Sequence, residues 1–153
     1  MKVKDKRYKH QPKSIAVVTG GFDPLHSGHI QYLKSAAELA DYLIVGVNSD
    51  EWLTRKKGKP FMPLEEREAL LKELYVVDEV ITFDDSDNTA CHAIEMVKHL
   101  YKDPFNNTFH TPITFCNGGD RTAENTPEQE RFKDDEFVTF RFGVGGHNKK
   151  NSS

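Results

Sequence analysis

The segment 15–40 changes, within a few residues, from the pattern of a buried strand to that of a helix. Residues 15–18 form a short apolar run rich in β-branched side chains, as expected for a strand buried on both faces. Gly20 and Gly21 follow, and from Ser27 onward apolar residues recur at helical spacing, with Ser27 predicted as the N-cap. A helix N-terminus placed directly after a strand presents backbone N–H groups that bind anions.

The same alternation continues along the chain. Strands are predicted at 42–47, 78–83, 113–116 and 137–140; helices are predicted from Pro63, after Asp87 as the capping residue, and after Thr126. The basic segment 55–60, which contains Gly and Pro, is predicted as a loop. This pattern predicts the α/β class, with a Rossmann-like, doubly wound sheet of about five parallel strands and helices on both faces. Ligands of such sheets bind beyond the carboxyl ends of the strands.

Size and charge restrict the class of protein. A length of 153 residues suits one domain, and we expect a flexible basic arm at 1–13 followed by a single domain at 14–153. The net charge of −3 argues against binding to nucleic acid or to an anionic membrane surface. No apolar run approaches the ~20 residues of a membrane span. Cys91 and Cys116 match no zinc or redox motif and are expected to be reduced, so a cytoplasmic location is predicted.

The polar motif at the helix start is His26-Ser27-Gly28-His29. The sequence contains neither the G-x-x-x-x-G-K-[ST] phosphate loop nor the G-x-G-x-x-G dinucleotide motif. The remaining candidate for a phosphate site is therefore the histidine pair, with Gly28 allowing a ligand to approach the backbone closely. Two histidines at this spacing also occur as metal ligands or as surface residues, but no third ligand is evident in the sequence.

This motif, with Gly-Gly-Phe-Asp-Pro-Leu before it, resembles the H-x-G-H signature of the cytidylyltransferase-like nucleotidylyltransferase superfamily. The segments 47–50, 55–59, 62–67 and 77–80 resemble those of glycerol-3-phosphate cytidylyltransferases and heptose-1-phosphate adenylyltransferases, and 117–120 is similar to the heptose group in particular. The resemblance runs from about residue 15 to residue 142. It implies attack by an acceptor phosphate on the α-phosphorus of CTP or ATP, with release of pyrophosphate. A phosphate monoester, with a second pKa of about 6, needs no general base for this step.

The resemblance also implies roles for individual residues. Catalysis is assigned to His26, His29 and Lys57; nucleotide binding to Gly20, Gly21, Phe22, Asp23, Gly28, Lys56, Gly118, Asp120 and Ser152; and acceptor or phosphate binding to Arg67 and Asn48. Mg²⁺ is expected on the nucleotide phosphates, with no metal ligated by the protein. Each assignment has a structural alternative: a turn for Asp23 and Gly118, a solvated loop for the two lysines, and a surface ion pair with a glutamate for Arg67.

Two positions depart from the family pattern. Gly21 stands where relatives often carry Thr or Cys, and 151–153 occupies about the place of an Ile-Ser-Thr-Thr motif at the start of a last helix. We therefore expect that helix to be missing, either because the chain is truncated or because 143–150 closes the site instead. These departures concern activity more than fold.

The function predicted from the sequence is transfer of CMP or AMP to a small phosphorylated acceptor, a sugar phosphate or a polyol phosphate. The Gly-Gly-Asp sequence at 118–120 favours a sugar phosphate and ATP. The alternatives are an enzyme similar to pantetheine-phosphate or nicotinamide-mononucleotide adenylyltransferases, and a nucleotide-binding protein without turnover. No nucleic acid or membrane partner is expected. The sequence does not determine the oligomeric state, for which a homodimer is one expectation.

Overall fold

The computed structural model describes residues 11–103, 105, 110–118 and 126–145, and within these ranges it contains five strands and five helices. They are β1 (Ile15–Gly20), α1 (Ser27–Ala37), β2 (Tyr42–Val47), α2 (Asp50–Lys57), α3 (Leu64–Lys72), β3 (Glu79–Thr82), α4 (Cys91–Leu100), β4 (Ile113–Gly118), α5 (Pro127–Arg131) and β5 (Val138–Val144). The predicted α/β class is confirmed.

The strands form one parallel sheet in the order β3-β2-β1-β4-β5. The chain moves outward from β1 to β3 and then returns to the other side of β1 with β4. The order therefore reverses between β1 and β4, and the crevice at their carboxyl ends is where a ligand binds in sheets of this kind. The glycine-rich segment after β1 opens onto this crevice.

The sheet is covered on both faces because its strands are apolar on both sides. Along β1, Ile15 and Val17 belong to one core cluster, which also contains residues of α4. Ala16 and Val18 belong to a second cluster, which contains residues of α1 and α3. This alternation is the period of two that a strand imposes on its side chains. The continuous apolar runs in the sequence follow from this double burial.

The prediction of a basic loop at 55–60 is wrong for residues 55–57. Residues 55–57 are the last turn of α2, which begins after the N-cap Ser49, whose side chain accepts a hydrogen bond from the Trp52 N–H. Acidic residues lie in the first turn of this helix and basic residues in its last turn, and both suit the helix dipole. Gly58, at φ 96°, ends the helix in a conformation that favours glycine.

Two predicted N-caps are also wrong. His26, and not Ser27, caps α1. Helix α4 begins at Cys91, after Ala90, with no side-chain cap, whereas the Asp87 carboxylate accepts hydrogen bonds from the backbone and hydroxyl of Thr89. The Ala90 N–H instead donates to the carboxylate of Glu128. The hydrogen-bond acceptor at this helix start is therefore a distant residue and not the nearby Asp87.

Candidate active site

A cavity of about 530 Å³ lies at the carboxyl ends of β1, β2 and β4. Its walls come from the β1–α1 loop, α1, α2 and the end of β4, so it occupies the crevice where the strand order reverses. The lining residues are Thr19, Gly20, Gly21, Phe22, Asp23, His29, Tyr32, Asn48, Trp52, Leu53, Lys56, Lys57, Cys116, Asn117 and Gly118.

The two histidines of the motif form a stacked pair at the start of α1. Their ring centroids lie 3.8 Å apart at an interplanar angle of 23°. His26 Nδ1 accepts the Gly28 N–H at 3.1 Å, and His29 Nδ1 accepts the His26 N–H at 3.2 Å. Since an accepting Nδ1 carries no proton, the hydrogen bonds assign the proton of each ring to Nε2. The pair thus caps the helix through the Nδ1 edge of each ring.

His29 is held in its neutral form. Burial and the neighbouring His26 lower the pKa of His29 to about 4. The ring also meets Phe22 edge to face, with centroids 5.1 Å apart. Phe22 is buried, and its backbone φ is 51°, a value that is rare for residues with bulky side chains. At neutral pH His29 therefore offers a polarised N–H in a fixed position and no positive charge.

Gly28 allows the His26 ring to lie against the first turn of α1. A Cβ atom at Gly28 would lie 2.9 Å from Cε1 and 3.1 Å from Nδ1 of His26. Nδ1 is the atom that accepts the Gly28 N–H, and a contact below 3 Å, such as that with Cε1, requires one of the partners to move. The glycine of the motif therefore has a packing role here, in addition to any approach of a ligand to the backbone.

Asp23 organises the loop in front of the cavity. One carboxylate oxygen accepts the Phe61 N–H and the other the Met62 N–H, both at 2.6 Å, and Lys57 Nζ lies 2.7 Å from the carboxylate. Burial raises the pKa of Asp23, but the Lys57 ammonium and the two N–H groups outweigh it and hold that pKa below its usual value. Asp23 therefore joins the loop after β1 to the segment after α2, which is more than a turn residue does.

Lys56 and Lys57 are the last two residues of α2 and lie at the cavity wall. Lys57 pairs with Asp23 and also donates to the Asp23 carbonyl at 2.8 Å. Lys56 Nζ lies 4.6 Å from the centroid of the Trp52 ring, in a cation–π contact. The expectation of a loop carrying both residues is wrong, because they belong to a capped helix. Their ammonium groups are positioned by Asp23 and Trp52.

Arg67 lies behind the cavity. It is 1% exposed, and it donates to the carbonyls of Met62, Gly21 and Asn48 at 2.9, 3.0 and 2.7 Å. Its guanidinium also pairs with the Asp50 carboxylate at 2.6 Å. The alternative interpretation of Arg67 as a surface residue paired with a glutamate is therefore wrong. Arg67 connects α3 with the ends of β1 and β2 and with the start of α2, so any effect on a ligand passes through those segments.

Asn48, assigned from the sequence to the acceptor or to phosphate, lies at the end of β2 and lines the cavity. Its Nδ2 donates to the Asp85 carboxylate at 3.0 Å, which also accepts the N–H and the hydroxyl of Ser49. Asp85 is buried and was missed as a site residue. Its position directly after β3, the strand next to β2, is the signal that would have indicated this contact.

The structure brings most of the predicted residues together. Those that line the cavity are Gly20, Gly21, Phe22, Asp23, His29, Asn48, Lys56, Lys57 and Gly118. His26 and Gly28 adjoin it through the stack with His29, whereas Asp120, Ser152 and residues 1–10 of the predicted arm lie outside the described residues.

Six further cavity residues received no role from the sequence: Thr19, Tyr32, Trp52, Leu53, Cys116 and Asn117. Tyr32, on α1, reaches across the crevice and donates from its hydroxyl to the Cys116 carbonyl at 2.7 Å. It thereby connects the helix that carries the histidines to β4.

Metal ligands are scarce around the cavity. Within the described ranges, no group of three or more His, Cys, Asp or Glu side chains is arranged to hold a metal ion. Asp23 is the one carboxylate among the described lining residues, and both of its oxygens are already hydrogen-bonded. None of the described helices is long and apolar enough to cross a lipid bilayer.

Residues 17–134 match the family described as Cytidylyltransferase-like, which is most of the chain and includes the cavity walls from β1 to α5. The chain belongs to the cytidylyltransferase-like family. The family resemblance inferred from the H-x-G-H motif is thus confirmed.

Relatives of this cytidylyltransferase-like domain agree with that placement. The bifunctional protein HldE of Sulfurimonas denitrificans is 36% identical over 137 residues, covering 88% of this chain and 26% of that protein. An FAD synthase of Thermococcus sibiricus is 45% identical over 93 residues, 60% of each chain. The chain thus spans about a quarter of the length of its HldE relative.

A solved structure shares the fold over nearly its whole length. The lipopolysaccharide core biosynthesis protein of Thermoplasma volcanium superposes with a TM-score of 0.65 at 25% identity, covering 88% of this chain and 98% of that one. The similarity therefore extends over the whole cytidylyltransferase-like domain and not only over the H-x-G-H segment.

Proposed function

We propose that this domain transfers a nucleotide from ATP or CTP to a small phosphorylated acceptor and releases pyrophosphate. The observation that carries the proposal is the stacked His26–His29 pair at the start of α1, in which His29 lines the cavity and carries its proton on Nε2. Family membership supports the same reaction class. Because the chain covers only part of its relatives, the activity, the substrates and a cytoplasmic location are all part of this proposal.

In the proposed reaction, an oxygen of the acceptor phosphate attacks the α-phosphorus of the nucleoside triphosphate. A new P–O bond forms, the bond between the α-phosphorus and the bridging oxygen breaks, and the electron pair leaves with pyrophosphate. Because the acceptor is already an anion at neutral pH, the protein needs to position two polyanions and to stabilise charge on the phosphate oxygens. No protein nucleophile is required.

The donors of the site suit that task. Nε2–H of His29 offers a neutral hydrogen bond that strengthens as charge develops on an oxygen of the transition state. The N-terminus of α1 adds the positive end of a helix dipole. Lys56 and Lys57 contribute positive charge from the opposite wall, and Trp52 and Asp23 limit the positions that they can take. We assign catalysis to His26, His29 and Lys57, and triphosphate binding to the glycine segment after β1 and to Lys56.

In this proposal magnesium is carried by the phosphates of the substrate. The hydrogen bonds of Asp23 leave the described part of the cavity without an available carboxylate, so phosphate oxygens and water would be the ligands. When bound, the ion supplies charge neutralisation on the triphosphate. The residues of the chain then act on the phosphates as hydrogen-bond donors and cations.

For the acceptor, we favour a sugar phosphate and, for the nucleotide, ATP. The similarity to a lipopolysaccharide core biosynthesis protein and to HldE proteins supports the sugar phosphate, as does the Gly-Gly-Asp sequence after β4. The similarity to an FAD synthase makes a phosphorylated acceptor other than a sugar the second candidate. A polyol phosphate with CTP belongs to the same reaction class.

Pyrophosphate release measured with a panel of substrates tests the proposal. Each of ATP and CTP is combined with sugar 1-phosphates, glycerol 3-phosphate, flavin mononucleotide, nicotinamide mononucleotide and phosphopantetheine. Release that depends on one class of acceptor supports the proposal and identifies that class. A nucleotide-dependent rise in melting temperature without pyrophosphate from any combination contradicts it and indicates a binding protein without turnover.

A further inference from the structure

Asn117, in β4, has a buried polar atom without a partner. The residue is 9% exposed and lines the cavity, and its Nδ2 makes no hydrogen bond among the described residues. A buried amide donor without a partner lowers stability, so such groups in native proteins call for an explanation. The other such atom in the described part of the chain, His110 Nδ1, lies at a different, more open cavity.

The amide one strand away provides a direct contrast. Asn48 also follows the apolar part of its strand and lines the same cavity, but its Nδ2 donates to Asp85 at 3.0 Å. Asn48 therefore holds the end of β2 in place. Asn117 has no comparable structural bond from Nδ2, although it is equally enclosed. The unused donor of Asn117 is thus available to something that enters the cavity.

The position of Asn117 indicates which part of a ligand it meets. Asn117 lies between Cys116 and Gly118, where the register of β4 with β5 shifts, and it lines the cavity together with both neighbours. Phe115 pairs with Val17 of β1, which places Asn117 at the edge where the strand order reverses. It therefore lies on the floor of the crevice, at the strand end beside β1.

The charged groups of the cavity come from other elements. Lys56 and Lys57 lie on α2, and His29 lies on α1. The part of β4 that lines the cavity contributes Cys116, Asn117 and Gly118, none of which is a cation. A neutral amide donor is suited to a carbonyl oxygen, a ring nitrogen or a hydroxyl group. A triphosphate binds more strongly to cations such as Lys56 and Lys57 on α2.

We propose that Asn117 is a specificity residue whose Nδ2 donates a hydrogen bond to the nucleoside part of the bound nucleotide, on the base or the ribose. This inference rests on the nucleotide-binding role proposed above.

Asn117→Leu tests the assignment because leucine has a similar size and no donor. The dissociation constants of ATP, CTP and inorganic tripolyphosphate are measured by calorimetry, together with the melting temperature without ligand. We expect the affinity for at least one nucleotide to fall about tenfold, the loss typical of one buried hydrogen bond. The affinity for tripolyphosphate is expected to stay unchanged, and the melting temperature of the free protein to stay the same or to rise.

Asn48→Leu is the matched control. It removes the donor to Asp85, so it should lower the melting temperature of the free protein. A comparable drop in Asn117→Leu would show that Asn117 is structural and would overturn the proposal. Asn117→Ala, which leaves room for water, provides a second variant with the same expected difference between nucleotide and tripolyphosphate.

The remaining outcomes are also decisive. Unchanged nucleotide affinity in Asn117→Leu overturns the inference, as does an equal loss of affinity for tripolyphosphate. A changed ratio of ATP to CTP affinity supports a contact with the base, and an equal loss for both supports a contact with the ribose. If the wild-type protein binds nucleotide but never releases pyrophosphate, the catalytic proposal fails while the assignment of Asn117 is still decided by affinity. If the wild-type protein binds no nucleotide, both fail.

Discussion

Lys57 Nζ lies 2.7 Å from the Asp23 carboxylate and thereby joins the end of α2 to the loop between β1 and α1. The Asp23 side chain is 1% exposed, whereas that of Lys57 is 37% exposed. The pair thus keeps a cation at the cavity wall that solvent and a ligand can still reach. Incoming phosphate oxygens would compete with Asp23 for the ammonium group of Lys57.

Replacing Lys57 by methionine should lower kcat and raise KM for the nucleotide, since the charge near the phosphates is lost. We expect kcat/KM to fall at least about tenfold, the effect of losing one charge-assisted hydrogen bond. Stability should fall by about 1 kcal/mol, because the pair is partly exposed and Asp23 keeps its two N–H donors. Steady-state kinetics and urea unfolding measure the two effects.

Lys133→Met is the control for the loss of one positive charge. Lys133 is exposed and pairs with Glu130 on α5. Its replacement should leave kinetics unchanged. Unchanged kinetic constants in Lys57→Met would remove Lys57 from the proposed machinery and leave it a structural partner of Asp23.

The depressed pKa of His29 predicts how stability varies with pH. The folded protein keeps this ring neutral down to about pH 4, whereas the unfolded chain binds a proton at about pH 6.5. Between these values the unfolded state binds more protons, so stability falls as the pH is lowered through this window. Above about pH 6.5 neither state is protonated at this site, and the contribution to stability is fully present.

The measurement compares unfolding free energies of the wild-type protein and His29→Gln across this pH range. The variant should show a smaller loss of stability on acidification because it lacks the titrating group. Parallel curves for the two proteins would show that His29 is not buried in its neutral form. Activity of the wild-type protein should decline below about pH 6 through protonation of the acceptor phosphate, before His29 titrates.

The strands of the sheet and the position of the H-x-G-H segment at a helix start could be predicted because both depend on residues that are close together in the sequence. Apolar runs of strand length and the H-x-G-H segment each occupy consecutive residues, and the fold places them as expected. The end of β5 was set too early, at 140, because Arg141 interrupts the apolar run although the strand continues to Val144. Helix α2 was missed because its signals, a serine cap followed by acidic and then basic residues, carry little hydrophobic periodicity.

Residues that act through distant partners could not be assigned in this way. Arg67 was placed near the ligand, but its acceptors include Gly21, 46 residues away in the sequence. Asp85 contacts Asn48 across 37 residues, and the unpaired donor of Asn117 is visible only once the surrounding residues are in place. These contacts depend on the strand order, which brings the ends of β1, β2, β3 and β4 to one edge of the sheet.

Arg67→Lys should be strongly destabilising although it preserves the charge. A lysine cannot satisfy the carbonyls of Met62, Gly21 and Asn48 and also pair with Asp50, and the buried acceptors would lose their donors. We expect a loss of about 2–4 kcal/mol in the free energy of unfolding, measured with urea.

Arg131→Lys is the matched control, because Arg131 is exposed and pairs with Glu95 at the surface. Its cost should be below about 1 kcal/mol. Equal effects of the two substitutions would contradict the structural role of Arg67.

Gly28→Ala should reduce turnover by displacing the His26 ring. The added Cβ would come within 2.9 Å of His26 Cε1, so the ring must move away from the helix start and from His29. We expect kcat to fall about tenfold or more, with a smaller change in nucleotide affinity. Ser27→Ala, at the neighbouring exposed position, should keep wild-type kinetics. Full activity in Gly28→Ala would show that the stacked arrangement is not needed for turnover.

The central claim is that the neutral Nε2–H of His29 stabilises charge during nucleotidyl transfer. The most direct test follows ATP or CTP and the active acceptor by ³¹P NMR, for wild type, His29→Ala and His29→Gln. The wild type is expected to form equimolar pyrophosphate and nucleotidylated acceptor. For His29→Ala we expect nucleotide binding within a few-fold of wild type but turnover reduced by about a hundredfold or more, with partial recovery in His29→Gln, which retains a donor. Wild-type turnover in His29→Ala would contradict this claim.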